Sequence, residues 1–418
     1  MEAMDAVDRE DAEREVVNEQ NCGVGGAHAA ALIVLFAAAA SAPPLTARYG
    51  FGAFVTAYVI SIGAWLIVRR RVLSRRATIV IAIALRALFL FATPQLSGDV
   101  YRYLWDGRTL AAGHNPYTRL PDDPRINHPE IPTIYPPHAE LLFAAVHWLP
   151  AWRLPLIGAD LATIVLTRRR SLAYATFPPL LFEGAWSGHI ESLAAMLLAL
   201  AATRDSGAAA GAAVGVKIIP AAAVPLLFVR ARRRMRWALA FALLLVVPAI
   251  PFAVAGPLMP GMRAYATRWI FNSPLYSATF AVVDALHVAE RAKSLFTSIK
   301  DRLHLEPIAH AVYFHLYADY VTRMLLGGIA VAAIAIFTRR RSSPAAPIAA
   351  LLLCSPAIHP WYWIVLAPFA SGLALWLALC APFSYLLYVG ASPWLVFALC
   401  YALPLALSAR FRSSAIAT

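Results

Sequence analysis

The chain has 418 residues, 60% hydrophobic and only 14% charged, with 36 Lys and Arg against 23 Asp and Glu for a formal net charge of +13. So little polar surface excludes a soluble globule of this size and assigns the chain to a bilayer. The positive charge does not mark a nucleic-acid binder, because the basic residues fall in short clusters between apolar runs, at 69–76, 168–170, 230–236, 339–341 and 410–412. Such clusters mark the cytosolic ends of membrane spans.

The chain opens with "MEAMDAVDREDAEREVVNEQN", acidic where a secretory leader is basic, and no small-residue cleavage site follows the first apolar run. Residues 1–28 are therefore expected to form a disordered cytosolic tail. The four cysteines, Cys22, Cys354, Cys380 and Cys400, have neither disulfide-framework nor metal-ligand spacing. A span takes about 20 apolar residues, fewer when it is tilted or re-entrant. Runs at 29–45, 50–68 and 77–96 carry the chain outward to a first outer loop, 97–150, and 151–167 returns it to an arginine cluster. The runs 171–184 and 189–203 form a second pair turning at "EGAWSGHIES". The run 207–229, broken by Pro220 and Pro225, holds Lys217 toward the outer side.

After 235–256 comes a second outer loop, 257–320. Within it Val288, Ala292, Leu295, Ile299 and Leu303 recur at helical spacing with the charges largely elsewhere, the pattern of an amphipathic helix lying on a membrane. Runs at 321–337 and 345–358, with His359 at the outer mouth, then "WYWIVLAPFASGLALWLAL" and a final hairpin complete the chain. The expected fold is an all-α polytopic bundle of about 12 spans over 29–408, followed by a basic cytosolic tail at 409–418.

The informative polar residues fall on the outer side of this topology. In "GDVYRYLWDG", Asp99, Arg102, Tyr103 and Asp106 share one helical face. Glu183, His189 and Glu191 sit at one outer turn, with Lys217 and His359 at two others. A charge at a span centre costs roughly 2.5–3.5 kcal/mol, so charges converging near one face suggest a polar cavity. The competing reading is a helix exit with belt aromatics and solvated charges, but "AGHNPYT" and "IPTIYPPHAELLF" are rigid, turn-rich segments suited to a loop folded back on the membrane. Glu183, His189 and Glu191 resemble metal ligands by type, yet their spacings match no metal site, and no metal or cofactor is expected. Arg86 and Asp160, inside spans, are expected to pair with neighbouring helices.

"GDVYRYLWDGRTLAAGHNPY" followed by "IPTIYPP" resembles the first outer loop of GT-C glycosyltransferases that use polyprenyl-phosphate sugars, especially bacterial family 87 and related mannosyltransferases. It is also similar to the first mannosyltransferase of GPI-anchor assembly, with an acidic pair, a Gly-x-x-Pro-Tyr turn and a Tyr-x-Pro element carrying Tyr135 in the same order. "FEGAWSGHIESL", "GVKIIPAAAVPLL", "YATRWIFN" and "SPAIHPWYWIVLAPF" extend the resemblance over about 80–370; Glu191 stands where relatives often carry Asp.

The resemblance implies transfer of a sugar, most simply mannose, from a polyprenyl-phosphate carrier to a glycolipid or glycan acceptor on the outer face of a bacterial inner membrane. It implies Asp99 as the general base of an inverting displacement, with Asp106 as second candidate or as a partner of Arg102 or Arg108. Lys217, His359 and Arg102 are candidates for the departing phosphate, although Lys217 also suits snorkelling and His359 a belt position. Tyr103, Tyr135, Glu183, His189, Glu191, Tyr265, Trp269 and Asn272 are candidates for binding sugar or acceptor, and the last three equally suit interfacial anchoring. The lipid-linked sugar is a co-substrate, membrane lipids surround the chain and no nucleic-acid partner is implied. A secondary transporter also fits a dozen spans with scattered ionisable residues, but transporters keep these at the bilayer midplane in repeated halves, and no duplication is visible here. A noncatalytic assembly or scaffold protein descended from such an enzyme is a third reading.

Overall fold

The computed structural model of the protein describes residues 2–167 and 172–410, with side chains from residue 26 onward. The acidic residues 1–25, the arginines at 168–170 and Arg412 therefore lie wholly or partly outside it. The structure is 77% helical, and among the described residues the extended contacts amount to isolated bridges, so the expected all-α class holds.

The helices are α1 (Glu2–Tyr49), α2 (Phe51–Val68), α3 (Arg75–Ala87), α4 (Asp99–Ala111), α5 (Pro137–Ala145), α6 (Leu149–Leu166) and α7 (Leu172–Ala175). Next come α8 (Glu191–Arg204), α9 (Gly207–Val216), α10 (Val224–Arg230), α11 (Arg234–Val246) and α12 (Ile250–Ala255). The second outer loop holds α13 (Pro260–Arg268), α14 (Pro274–Ala285), α15 (Val288–Leu303) and α16 (Glu306–Phe314). The chain ends through α17 (Ala318–Arg339), α18 (Ala345–Cys354), α19 (Gly372–Cys380), α20 (Pro393–Phe397) and α21 (Leu403–Arg410).

Seven stretches are long and apolar enough to cross a bilayer: Gly26–Tyr49, Phe51–Val68, Leu149–Leu166, Arg234–Ala255, Ala318–Arg339, Gly372–Val389 and Pro393–Arg410. An eighth is reached if Leu180–Trp186 and Glu191–Arg204, bent by 112°, count as one. The expected twelve spans are thus not found among the described residues. The apolar runs at 77–96, 207–229 and 345–358 break into shorter pieces whose backbone groups are satisfied inside the protein, where a full span is unnecessary. Beyond Ala87 the expected third span stops, because Arg153 donates to the carbonyls of Phe89 and Leu90 (2.6 and 3.0 Å) and to that of Trp186, while Trp186 Nε1 donates to Thr93 O (2.8 Å). The 207–229 run breaks at Lys217, before Pro220, into α9, a 3₁₀ turn (Ile219–Ala223) and α10.

The core is aromatic. Phe54, Tyr58, Phe182, Trp186 and Tyr385 are fully buried and pack edge-on or tilted against one another. Arg86 and Asp160 pair with each other at 2.8 Å, and Arg86 also donates to Ala175 O. A buried pair of this kind fixes register, since either partner alone leaves an uncompensated charge.

The first loop is a packed element. Gly107 of α4 lies so close to α5 that a Cβ there would stand 2.1 Å from Phe143 O. The second loop is clipped to the segment before His359: Phe271 N–H donates to Pro356 O (3.0 Å), Ile358 N–H to Phe271 O (2.8 Å) and Ser273 Oγ to Ser355 O (2.7 Å). α15 forms over the expected amphipathic stretch and leaves Leu295, Ile299 and Leu303 exposed.

Candidate active site

α4 begins immediately after a polar, non-helical stretch, and its first residue, Asp99, faces a cavity of about 670 Å³. Asp99 N–H donates to Ser97 Oγ (3.2 Å), fixing the start of the helix. Tyr135 Oη donates to Asp99 Oδ2 (3.2 Å) and contacts Tyr103 Oη (3.4 Å). Tyr103 stacks on Phe143 at 4.6 Å and is buried, so it props Tyr135 and does not line the cavity. About a quarter of the Asp99 side chain remains exposed, and burial raises its pKa against the opposing pull of Lys217, Tyr135, Ser97 and Arg102.

His359, Tyr265, Trp269, Trp361, Tyr362 and Tyr388 line the same cavity. Five rings form a continuous stack: His189 on Trp361 (4.1 Å), Trp361 on His359 (4.6 Å), His359 on Phe271 (4.7 Å) and Phe271 on Tyr388 (5.4 Å). Burial and nearby Lys217 hold His359 well below the usual histidine range. Both effects oppose a positive charge on the ring, which lies stacked between Trp361 and Phe271.

A second, predominantly apolar cavity of about 280 Å³ adjoins the first, sharing Tyr135, Tyr265, Trp269 and Tyr362. Lys217 borders this side chamber. Its Nζ lies 2.7 Å from Glu191 Oε1 and over the Tyr135 and Tyr362 rings at 5.0 and 5.1 Å. Tyr265 and Tyr362 hydrogen-bond to each other through their hydroxyls. Lys217 therefore does not snorkel to a helix end; it is held where the two chambers meet.

Asp106 does not line the cavity. It is fully buried and paired with Arg102 through Nε at 2.9 and 3.1 Å, and Arg102 also donates to Ile131 O, spending most of its guanidinium on structure although its edge reaches the cavity. Glu183, His189 and Glu191 are fully buried behind the wall. His189 stands between two carboxylates, 4.0 Å from Asp99 Oδ2 and 3.6 Å from Glu183 Oε2, and Tyr385 Oη donates to Glu183 Oε2 (2.8 Å). Gly188, at φ +78°, permits the bend that delivers His189, and Trp152 Nε1 secures its carbonyl at 2.8 Å. Asn272 is buried away from the cavity, its carbonyl taken by Tyr401. Among the described residues no three His, Cys, Asp or Glu side chains gather as metal ligands.

Residues 22–130 match a family model, the MptA_B family, described as alpha-(1->6)-mannopyranosyltransferase, N-terminal domain. The match supports a GT-C-like bacterial mannosyltransferase. The matched stretch takes in Asp99, Arg102, Tyr103 and Asp106, while Tyr135, Lys217 and His359 lie beyond it. No curated protein and no solved structure matches the chain.

Several residues of this candidate site escape sequence reasoning. Glu140 is fully buried in α5, accepts from Thr133 Oγ1 (2.7 Å), and is raised well above the carboxylate range by burial and by neighbouring Asp106. Its position in "PPHAELLF" reads as an exposed helix-start acid, the favourable place for a carboxylate. Tyr362, Trp361, Tyr385 and Tyr388 read as belt aromatics, and only their convergence from distant segments reveals them as wall and support.

Proposed function

We propose that the chain is a membrane mannosyltransferase that takes mannose from a polyprenyl-phosphate carrier and gives it to a glycolipid or glycan acceptor at the outer face of a bacterial inner membrane, by single inverting displacement. The acceptor hydroxyl oxygen bonds to the anomeric carbon as the bond from that carbon to the phosphate oxygen breaks. The phosphate departs with the electron pair, and the acceptor proton passes to Asp99.

The observation that carries this reading is the Asp99 carboxylate, facing the larger cavity under Tyr135 while Lys217 borders the apolar chamber beside it. A raised pKa makes Asp99 a better proton acceptor than an ordinary aspartate. A prenyl-phosphate needs apolar walls for its chain and positive charge for its head, and the side chamber with Lys217 offers both; a charge aimed at the leaving group favours the transition state over the ground state. Tyr265 and Trp269 present ring faces and a hydroxyl where the two chambers meet, suited to the sugar.

The side of the membrane is supported by helix ends. Phe51, at the start of α2, lines the cavity and Arg69 follows its far end; α8 runs from Glu191 to Arg204 and α17 from the second loop to Arg339. The basic clusters thus lie opposite the cavity, as expected when the cavity faces outward.

The test is donor choice. Purified protein supplied with an envelope-lipid extract is expected to transfer label from polyprenyl-phosphate-mannose and not from a nucleotide-linked mannose. Transfer from the nucleotide sugar alone would overturn the proposal.

A further inference from the structure

At the end of the bundle away from both chambers, the turn joining α8 to α9 and the start of α11 enclose a third concavity of about 990 Å³. The α8–α9 hairpin connects the two ends: Glu191 and Lys217 meet at its cavity end, and 14 residues of α8 put Arg204 about 20 Å away. Five arginines line this concavity from separate segments: Arg204 from α8, Arg230 from α10, Arg232 and Arg233 from the linker, and Arg236 from α11. Among the described residues none of the five forms an ion pair. The one carboxylate in the lining, Asp205, accepts from the backbone N–H of Arg232 (3.0 Å) and fixes the turn.

Two further features give the concavity anion chemistry. The N-terminus of α9 opens into it at Ser206 and Gly207, with Ser206 Oγ accepting from Ala209 N–H (3.2 Å), and that of α11 opens at Arg233, whose side chain makes no cap bond. Helix starts present unsatisfied N–H groups and positive dipole ends. The walls are tight: a Cβ on Gly207 would stand 1.9 Å from Trp237 O, so the pocket has a rigid floor.

What lies next to the pocket identifies the source of the anion. α11 rises from it with Leu239, Leu243 and Val246 more than half exposed, and only 6% of the apolar window within Arg234–Ala255 is buried, an apolar face suited to acyl chains. We propose that this concavity holds the phosphate of an anionic membrane lipid, with the lipid's acyl chains laid along α11. Arg230 donates to the carbonyls of Arg341 and Ser342 and braces the rim, so the guanidiniums of Arg204, Arg232, Arg233 and Arg236 grip the phosphate oxygens and the helix starts complete the charge, as basic pockets between spans do for anionic headgroups. The site is independent of the transfer chemistry at the other end.

The experiment is native mass spectrometry of the full chain released from micelles containing phosphatidylglycerol, with phosphatidylcholine and soluble glycerol phosphate as parallel probes. Wild type is expected to retain phosphatidylglycerol over phosphatidylcholine, and Arg233→Gln/Arg236→Gln to lose retention by about tenfold or more, while Arg70→Gln/Arg71→Gln, also basic and exposed but outside the pocket, retains it. Should the double variant fail to fold, Ala208→Glu keeps all five arginines and sets a carboxylate into the lining, with the same loss expected. Equal loss in the Arg70/Arg71 variant, equal retention of phosphatidylcholine, or binding of glycerol phosphate without the lipid overturns the assignment.

Discussion

Replacing Lys217 by Met separates what the lysine does for the fold from what it does for the reaction. In the wild type its ammonium is 2.7 Å from Glu191, with side-chain exposures of 11% and 0%. Lys217→Met leaves Glu191 charged, buried and unpaired, a loss of about 3–5 kcal/mol for breaking a buried pair. Glu191→Gln removes that debt, so Lys217→Met/Glu191→Gln recovers most of the stability while still lacking a cation beside the side chamber. If Lys217 stabilises the departing phosphate, the double variant remains slower by about 10²–10³ in kcat, the loss seen when one preorganised donor is removed. Thermal unfolding in detergent followed by tryptophan fluorescence, with 11 tryptophans as reporters, gives the first quantity, and transfer from polyprenyl-phosphate-mannose the second. A double variant with restored stability and full kcat would refute the phosphate role. A single variant as stable as wild type would refute the ion-pair argument.

Other expectations follow from neighbouring residues. Asp106→Asn strips the buried Arg102 of its partner and is expected to cost about 3–5 kcal/mol in unfolding free energy while leaving kcat of the folded fraction within a few-fold; loss of chemistry with unchanged stability would make Asp106 the base instead. Gly107→Ala forces a methyl to 2.1 Å from Phe143 O, and overpacking of about 1–3 kcal/mol or more should appear as a lowered Tm; an unchanged Tm would mean that α4 and α5 are not so close. Glu140, raised by burial and Asp106, binds its proton more tightly folded than unfolded, so its contribution is present at low pH and is lost as pH rises through the folded pKa. Stability is expected to fall on the alkaline side and Glu140→Gln to flatten that fall, as read from Tm against pH; an unaltered profile would exclude Glu140 as its source.

Much of this architecture is legible in the chain because its signals are local. Apolar runs bounded by arginines mark α2, α6 and α17, and the turn-rich "AGHNPYT" and "IPTIYPP" predict the packed first loop, where Tyr117 Oη donates to Tyr135 O (2.7 Å). Asp99, Tyr265, Trp269 and His359 do share a cavity. The failures are non-local. The 77–96 run is apolar enough for a span, but Arg153, more than 60 residues away, holds its end open as non-helical backbone. Hydropathy cannot show that Glu183, His189 and Glu191 face inward to pair with Tyr385, Asp99 and Lys217 instead of lining the cavity. Nor does it reveal His359 as a member of a ring stack, since that depends on Phe271 and Trp361 closing over it.

The central claim is that Asp99 accepts the acceptor proton, and Asp99→Asn tests it most directly, because Asn preserves size and can still meet Tyr135 while losing the negative charge. Single-turnover transfer from polyprenyl-phosphate-mannose should fall by about 10²–10⁴ with donor binding and Tm close to wild type. Transfer at the wild-type rate in a folded, donor-binding Asp99→Asn protein would contradict the account.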